Sequence, residues 1–352
     1  MTPPAHPIQG LYEVCIGVTD PEPQIQYWAQ FGYALGAEGG LSADRAQALY
    51  GVKSAVRSLR LTHQSADHGL IRLMVWDTPV NEGLELSPMK VRGNRWTTTL
   101  TADVMALWNH AEIAAEAGQP IKIVPPKWTM IYPMPQGQPF FDPPVGVREL
   151  CLTQPLTRQV LFQRFGYSVP NYGQINPASA LQSSQVTHMG MIVQDDSQES
   201  LRFYDEVLGL LRVQDALEST YETSTGGKYI FEMQPGEKFW VTAFDDPRSS
   251  EDWQAARSGR LYIVRFPEAL DLPTAHEKSR PGCLGMSLYT YRVSDLARIR
   301  DHIHASAAEN LTDIVTDEFG DRSFSFIAPD GYFWTLIERK KNLPKISTIE
   351  LI

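Results

Sequence analysis

A chain of 352 residues and 39.5 kDa exceeds one ordinary domain and suits two. Its 43% hydrophobic and 20% charged residues exclude global disorder, and its net charge of −10 argues against a nucleic-acid partner. No run approaches ~20 apolar residues, so no membrane-spanning helix is expected. The opening Met-Thr-Pro-Pro-Ala-His-Pro has no charged region ahead of an apolar one, so no signal peptide is expected. Cys15, Cys151 and Cys283 lie far apart, in or beside apolar strand-like runs. They read as reduced, buried thiols of a cytoplasmic protein, without the paired spacing of a Cys-based zinc site.

In chain order, Leu11–Val18 reads as a strand, Asp20-Pro21 as a turn, Ile25–Phe31 as a short amphipathic helix stopped by Gly32, and Tyr33–Gly36 as strand. Ala55–Thr62 and Leu70–Trp76 are further strands. Arg95–Ala102 leads through Asp103 into a helix over Val104–Ala117, then Gly118 and a strand at Ile121–Val124. Val186–Val193 is an apolar strand ended by Asp195 and Asp196. Asp196 or Ser197 caps a helix whose Leu201, Tyr204, Val207 and Leu208 form one apolar face, Gly209 ends it, and Leu210–Val213 opens another strand. Lys228–Met233 and Phe239–Ala243 read as strands, with Gly226-Gly227 as a hairpin turn. Leu284–Val293 leads through Ser294-Asp295 into a helix over Leu296–His304, and Ile314–Val315, Ser323–Ile327 and Tyr332–Glu338 follow as strands.

The same β-α-β opening thus recurs four times, and a repeat at this scale governs the fold. One β-α-β-β-β unit cannot bury both faces of its sheet, so units must pair. The expected fold is α+β: four βαβββ modules paired into two pseudo-symmetric curled-sheet halves. The halves are placed at 1–155 and 184–352, joined by 156–183, a stretch rich in turn formers. Glu149-Leu150-Cys151 with Phe162–Tyr167 echoes Glu13-Val14-Cys15 with Ala29–Tyr33. Too little chain remains before Val186 to finish a module, so this reads as a last strand and a connecting helix.

The strand Thr187-His188-Met189-Gly190-Met191-Ile192-Val193, its helix Phe203–Gly209, and Ala328-Pro329-Asp330-Gly331-Tyr332-Phe333-Trp334 together resemble the vicinal oxygen chelate superfamily, which includes glyoxalase I, extradiol dioxygenases and bleomycin-resistance proteins. The resemblance implies paired modules curled around a cavity, with His, Gln or Glu metal ligands on the first and last strands. Carried over, it supplies His188 as a ligand or catalytic imidazole. The other positions depart from the pattern: Ser287 or Leu288 lies where a second first-strand ligand belongs, and Thr335 stands where the last strand normally places Glu. In the N-terminal half Glu13 and Glu149 fall near ligand positions and Trp96 takes a third. A divalent iron, zinc or manganese ion would therefore find an incomplete triad.

The candidate catalytic residues are His188, Glu13 and Glu149, with His188 also a candidate metal ligand. The two carboxylates could hold a metal or share a proton as acid and base. Competing structural readings are a hydrogen-bonded His188, a buried Glu13 satisfied by a backbone or arginine partner, and a surface pair of Arg148 with Glu149. His63 and His68 read as surface histidines. Tyr229, Tyr289, Tyr291 and Trp334 are candidate substrate-binding aromatics, with core packing as the alternative. The expected function is an enzyme of lyase, isomerase or dioxygenase-like chemistry on a small organic, aromatic-compatible substrate. The alternative is a metal-free binding protein of the bleomycin-resistance type. The expected partner is a small-molecule ligand, with no nucleic acid or membrane, and the sequence allows a homodimer.

Overall fold

The computed structural model describes residues 8–132, 140, 142–195, 197–249 and 255–338. It contains four modules. The first comprises β1 (Ile8–Val18), α1 (Glu22–Gln30), β2 (Tyr33–Leu41), α2 (Ala43–Tyr50), β3 (Val56–His63) and β4 (Leu70–Trp76). The second comprises β5 (Arg95–Thr101), α3 (Val104–Glu116), β6 (Lys122–Tyr132), β7 (Val145–Thr153) and β8 (Arg158–Phe165). The third holds β9 (Ser183–Gln194), one π turn (Phe203–Val207), β10 (Leu211–Thr220), α4 (Gly227–Ile230), β11 (Lys238–Asp245) and β12 (Arg260–Phe266). The fourth holds β13 (Gly285–Val293), α5 (Leu296–His304), β14 (Val315–Thr316), β15 (Arg322–Ile327) and β16 (Phe333–Glu338).

Local chemistry sets the helix starts. The Asp103 carboxylate accepts from the amides of Met105 and Ala106, both at 3.0 Å, and the Asp295 carboxylate accepts from that of Arg298. The expected helix before Gly209 shortens to a π turn. Asp195 spends its carboxylate on the Ser197 amide and the Ser200 hydroxyl, a local alternative to helix. Leu201, Tyr204 and Leu208 are still buried on one side. Asp196 lies outside the described residues, as do 1–7 and 339–352 of the expected halves.

Three expected elements change. Phe162–Tyr167 is largely strand β8, so the second module is complete and the connection to the third begins only after Phe165. Lys228–Met233 is not a strand; Gly226-Gly227 opens the single turn α4. The last strand of the third module is β12, which lies parallel beside β9.

In every module the strand order is first, last, third, second, and two modules share each eight-stranded sheet. The partners are not consecutive. β1 lies antiparallel to β13, joining modules one and four, and β5 lies antiparallel to β9, joining modules two and three. The pairing expected within 1–155 and within 184–352 is therefore replaced by a nested one. The larger apolar core contains residues of both sheets. Its polar pins are tyrosines: the Tyr289 hydroxyl lies 2.9 Å from the carbonyls of Trp96 and Gly190, and that of Tyr332 lies 2.7 Å from the carbonyl of Ile192. Arg95 crosses the other way, donating to the Phe333 carbonyl at 2.9 Å with its guanidinium 4.8 Å from the Tyr332 ring centre. No helix among the described residues is long and apolar enough to cross a membrane.

Trp96 on β5 packs its indole against Gly190, its register partner on β9; a Cβ at 190 would stand 1.9 Å from the nearest indole carbons. Gly190→Ala is expected to displace Trp96 and cost roughly 1–3 kcal/mol, the usual scale for overpacking, read as a lower urea midpoint at unchanged m-value. Wild-type stability in that variant would show that the ring is not held there.

Candidate functional site

The curl of the β5–β12 sheet encloses a cavity of about 470 Å³, and both His188 and Glu149 line it. Its apolar walls include Trp96, Phe162, Phe231, Phe239 and Tyr262, and its polar groups include Thr98, Arg164, Gln214 and Arg260. His188 stands in register between Thr98 on β5 and Arg260 on β12. Glu149, on β7, pairs with Phe162 on β8. It is thus on the third strand of its module rather than the last, but its side chain still reaches the cavity. Three interstrand steps, about 14 Å along the sheet, separate the two residues, so a bound molecule would lie between them.

The His188 ring is held on several sides. Its Nδ1 lies 3.1 Å from the Tyr172 hydroxyl and 3.0 Å from Thr187 Oγ1. The Thr187 hydroxyl donates to the Thr98 carbonyl at 3.0 Å, so towards Nδ1 it accepts. A proton on Nδ1 satisfies that contact and leaves the Nε2 lone pair free. The Tyr262 ring stands edge-on at 4.8 Å. Burial, then the charges of Arg260 and Arg164, push the imidazole well below its ordinary pKa, so it is neutral at pH 7. Glu149 shifts in the opposite sense. Burial raises its carboxyl pKa, opposed only by a 3.4 Å hydrogen bond from the Thr129 hydroxyl, and no arginine or lysine among the described residues pairs with it.

The corresponding face of the β1–β16 sheet is filled. Glu13 is fully buried. Arg60 Nε lies 2.5 Å from one carboxylate oxygen, while Arg72 and the Thr290 hydroxyl, the latter at 3.0 Å, donate to the other. Arg72 extends 3.5 Å to Glu318, which also accepts from the hydroxyls of Tyr50 and Ser58, each at 2.9 Å. Phe319 covers Arg60 at 3.8 Å, and helix α2 packs beside them through Ala46, Leu49 and Tyr50. Gly39 admits this loop: a Cβ there would stand 1.9 Å from the Glu318 carbonyl oxygen. Two arginines face two glutamates, and Glu13 is fully buried among them, an arrangement that supports a structural carboxylate; the nested pairing separates it from Glu149.

The proposed aromatic contacts also resolve by face. Tyr289, Tyr291 and Trp334 point into the core between the sheets, while Thr290 and Thr335 take the alternate parity; Thr335 bonds Ser325 Oγ at 2.8 Å. Tyr229 sits on α4, about half exposed, under the Lys127 ammonium, and is not among the cavity-lining residues. His63 and His68 are buried rather than superficial. His68 bridges Asp67, at 2.7 Å, and Ser258, an arrangement that looks like a charge relay. Ser258 is fully buried and its hydroxyl also accepts from Gln185 Nε2 at 3.2 Å, so the arrangement ties two loops together. The residues that sequence reasoning missed are Arg164, Tyr172, Arg260 and Tyr262. Arg260–Phe266 reads RLYIVRF with its two arginines on opposite faces, so no polar–apolar alternation marked the last two.

Among the described residues, no three His, Cys, Asp or Glu side chains come together as a metal site. On the first and last strands around the cavity, His188 is accompanied by Thr98, Phe162 and Tyr262, a donor set that does not fit iron, zinc or manganese in a three-ligand site.

Burial would raise the Glu13 pKa, but Arg60 and Arg72 outweigh it and hold the group at about 2. Its contribution to stability is therefore complete above the unfolded carboxylate pKa and is lost as pH falls from about 4.5 towards 2. Glu13→Gln, which takes the carboxylate from buried Arg60 and leaves Arg72 only Glu318 at 3.5 Å, should cost roughly 3–5 kcal/mol in urea unfolding at pH 7 and remove part of that acid sensitivity. A variant as stable as the wild type would refute the structural assignment.

No protein-family model and no curated protein matches the chain. Solved structures do. A putative dioxygenase from Bacillus subtilis superposes with a TM-score of 0.56 at 11% identity, covering 96% of this chain and 87% of its own. Glyoxalase I from Zea mays superposes with a TM-score of 0.51 at 12% identity, covering 94% and 92%. At these identities the likeness concerns the fold. Together with the repeated strand order and the curled sheets, it shows that the chain has the vicinal oxygen chelate fold, in a four-module form.

Proposed function

We propose that the chain is an enzyme that moves protons on a small planar organic molecule in the cavity of modules two and three, an isomerase- or lyase-type reaction that uses no metal held by a protein triad. The observation that carries this reading is the meeting of His188 and Glu149, from different modules, in one aromatic cavity with opposite pKa displacements. A neutral imidazole can accept a proton and a carboxyl with a raised pKa can donate one, so the environments assign base and acid. His188 Nε2 would take a proton from a carbon beside a carbonyl, and Glu149 would return one to the far end of the conjugated system. The product is then an isomer of the substrate, and the two residues exchange roles for the next turnover or re-equilibrate through solvent. Tyr172 and Thr187 would hold the imidazole at its working angle.

A second reading, a metal-free binding protein, is supported by the same donor set, because Thr98, Phe162 and Tyr262 form an adequate binding wall without chemistry. Turnover separates the two. On a substrate found by screening enolisable aromatic compounds, His188→Ala and Glu149→Gln should each lower kcat about 100-fold or more with the fold intact. The kcat/KM profile should be bell-shaped, its low-pH limb set by His188 and its high-pH limb by Glu149. Activity falls at low pH as His188 protonates and at higher pH as Glu149 ionises, and the high-pH limb disappears in Glu149→Gln. Undiminished turnover in both variants would dismiss the catalytic assignment, and binding without turnover would favour the second reading. One equivalent of iron, zinc or manganese bound through His188 in tag-free protein would overturn the metal-independent scheme.

A further inference from the structure

We propose that the molecule taken up by this cavity is an aromatic carboxylate, and that Arg164 receives its anionic group; the inference rests on the reading of the cavity as the binding site. Two guanidinium groups line the cavity, and their charges are balanced differently. Arg260 is neutralised by Asp245, with Nη2 2.9 Å from Oδ2, and its Nη1 donates to the Tyr262 hydroxyl at 3.0 Å. Arg164 has no carboxylate partner among the described residues. Its guanidinium donates to the Tyr172 carbonyl at 3.0 Å and bonds the Tyr167 side chain. A guanidinium has five N–H donors, so most of this one's capacity remains for a ligand.

The surroundings select the rest of the molecule. The rings of Phe162, Tyr167 and Tyr172 stand 5.3, 5.7 and 5.4 Å from the Arg164 guanidinium carbon, so a planar carboxylate bound there would have aromatic surface beside it. The neighbouring His188 is neutral and offers no competing charge. Glu149 projects from β7, the strand next to that of Arg164, with its register partner Phe162 two residues from Arg164, and no charge interaction between the two groups contributes to its raised pKa. A cavity of about 470 Å³ suits one or two rings. A partly desolvated cation without a counter-ion is costly, and a carboxylate ligand relieves that cost bidentately where its isosteric amide does not.

Isothermal titration of the purified full chain with 1-naphthoate and with 1-naphthamide tests this. The wild type should bind the carboxylate about tenfold or more tightly than the amide. Arg164→Gln should erase that preference by weakening naphthoate alone, with naphthamide affinity kept. Arg164→Lys should retain part of the preference, because charge survives without the fork; if the Gln variant does not fold, a preference in the Lys variant below that of the wild type supports the proposal. Equal wild-type affinity for the two probes, no binding of either, or an unchanged preference in a folded Arg164 variant overturns it. The turnover measurements on His188 and Glu149 are independent: a charge preference with undiminished turnover in those variants would sink the acid–base scheme and leave the anion site standing.

Discussion

The first strands of the modules meet antiparallel, β1 with β13 and β5 with β9, and this contact decides the placement of every functional side chain. Each first strand is flanked on its other side by its own module's last strand, so it lies in the middle of an eight-stranded sheet. Residues on first strands are therefore the most enclosed, and a polar side chain there must find a partner or face a cavity. Glu13 took the first course and His188 the second. Because the partners are nested rather than consecutive, Glu149 of the second module shares a cavity with His188 of the third, and Glu13 is placed in the other sheet.

The two curled sheets illustrate opposite solutions to one packing problem. A concave sheet face must be filled or lined. In the β1–β16 sheet it is filled by α2, by the Glu318–Phe319 loop and by a neutral set of two arginines and two glutamates. Such a set contributes less by its own attraction than its removal would cost, since any one member leaves its partners charged and dry. In the β5–β12 sheet the face is lined with aromatic rings, and the polar groups are left in excess: a neutral imidazole, a carboxyl with a raised pKa and one guanidinium that has no carboxylate among the described residues. Uncompensated burial of this kind clusters at functional sites.

The elements that depend on near neighbours were legible in the chain. Asp103 and Asp295 cap the helices they were expected to cap, because a carboxylate two or three residues ahead of free amides needs no tertiary help. The π turn at Phe203–Val207 was not legible, since Asp195 diverted the backbone locally while Leu201, Tyr204 and Leu208 kept the helical spacing of their burial. His188 was legible as a cavity residue because its strand carries a recognisable pattern. Tyr172 was not, because it lies in an irregular stretch of turn formers whose path depends on the modules it joins.

Sequence by itself determined that four like modules exist, where their caps lie, and that His188 stands on a first strand, all consequences of short-range hydrogen bonding and periodicity. Only the tertiary structure decided which modules pair, because all four first strands share one grammar and none states its partner. It also decided which parity faces the cavity: alternation divides β13 into Tyr289 and Tyr291 on one side and Thr290 on the other, but only the second sheet, packed against the tyrosines, makes theirs the core side. The charges follow the same rule. Glu13 is neutralised, while Arg164 meets no carboxylate among the described residues, because counter-ions come from strands and loops distant in the chain, brought close only by the closure of each sheet.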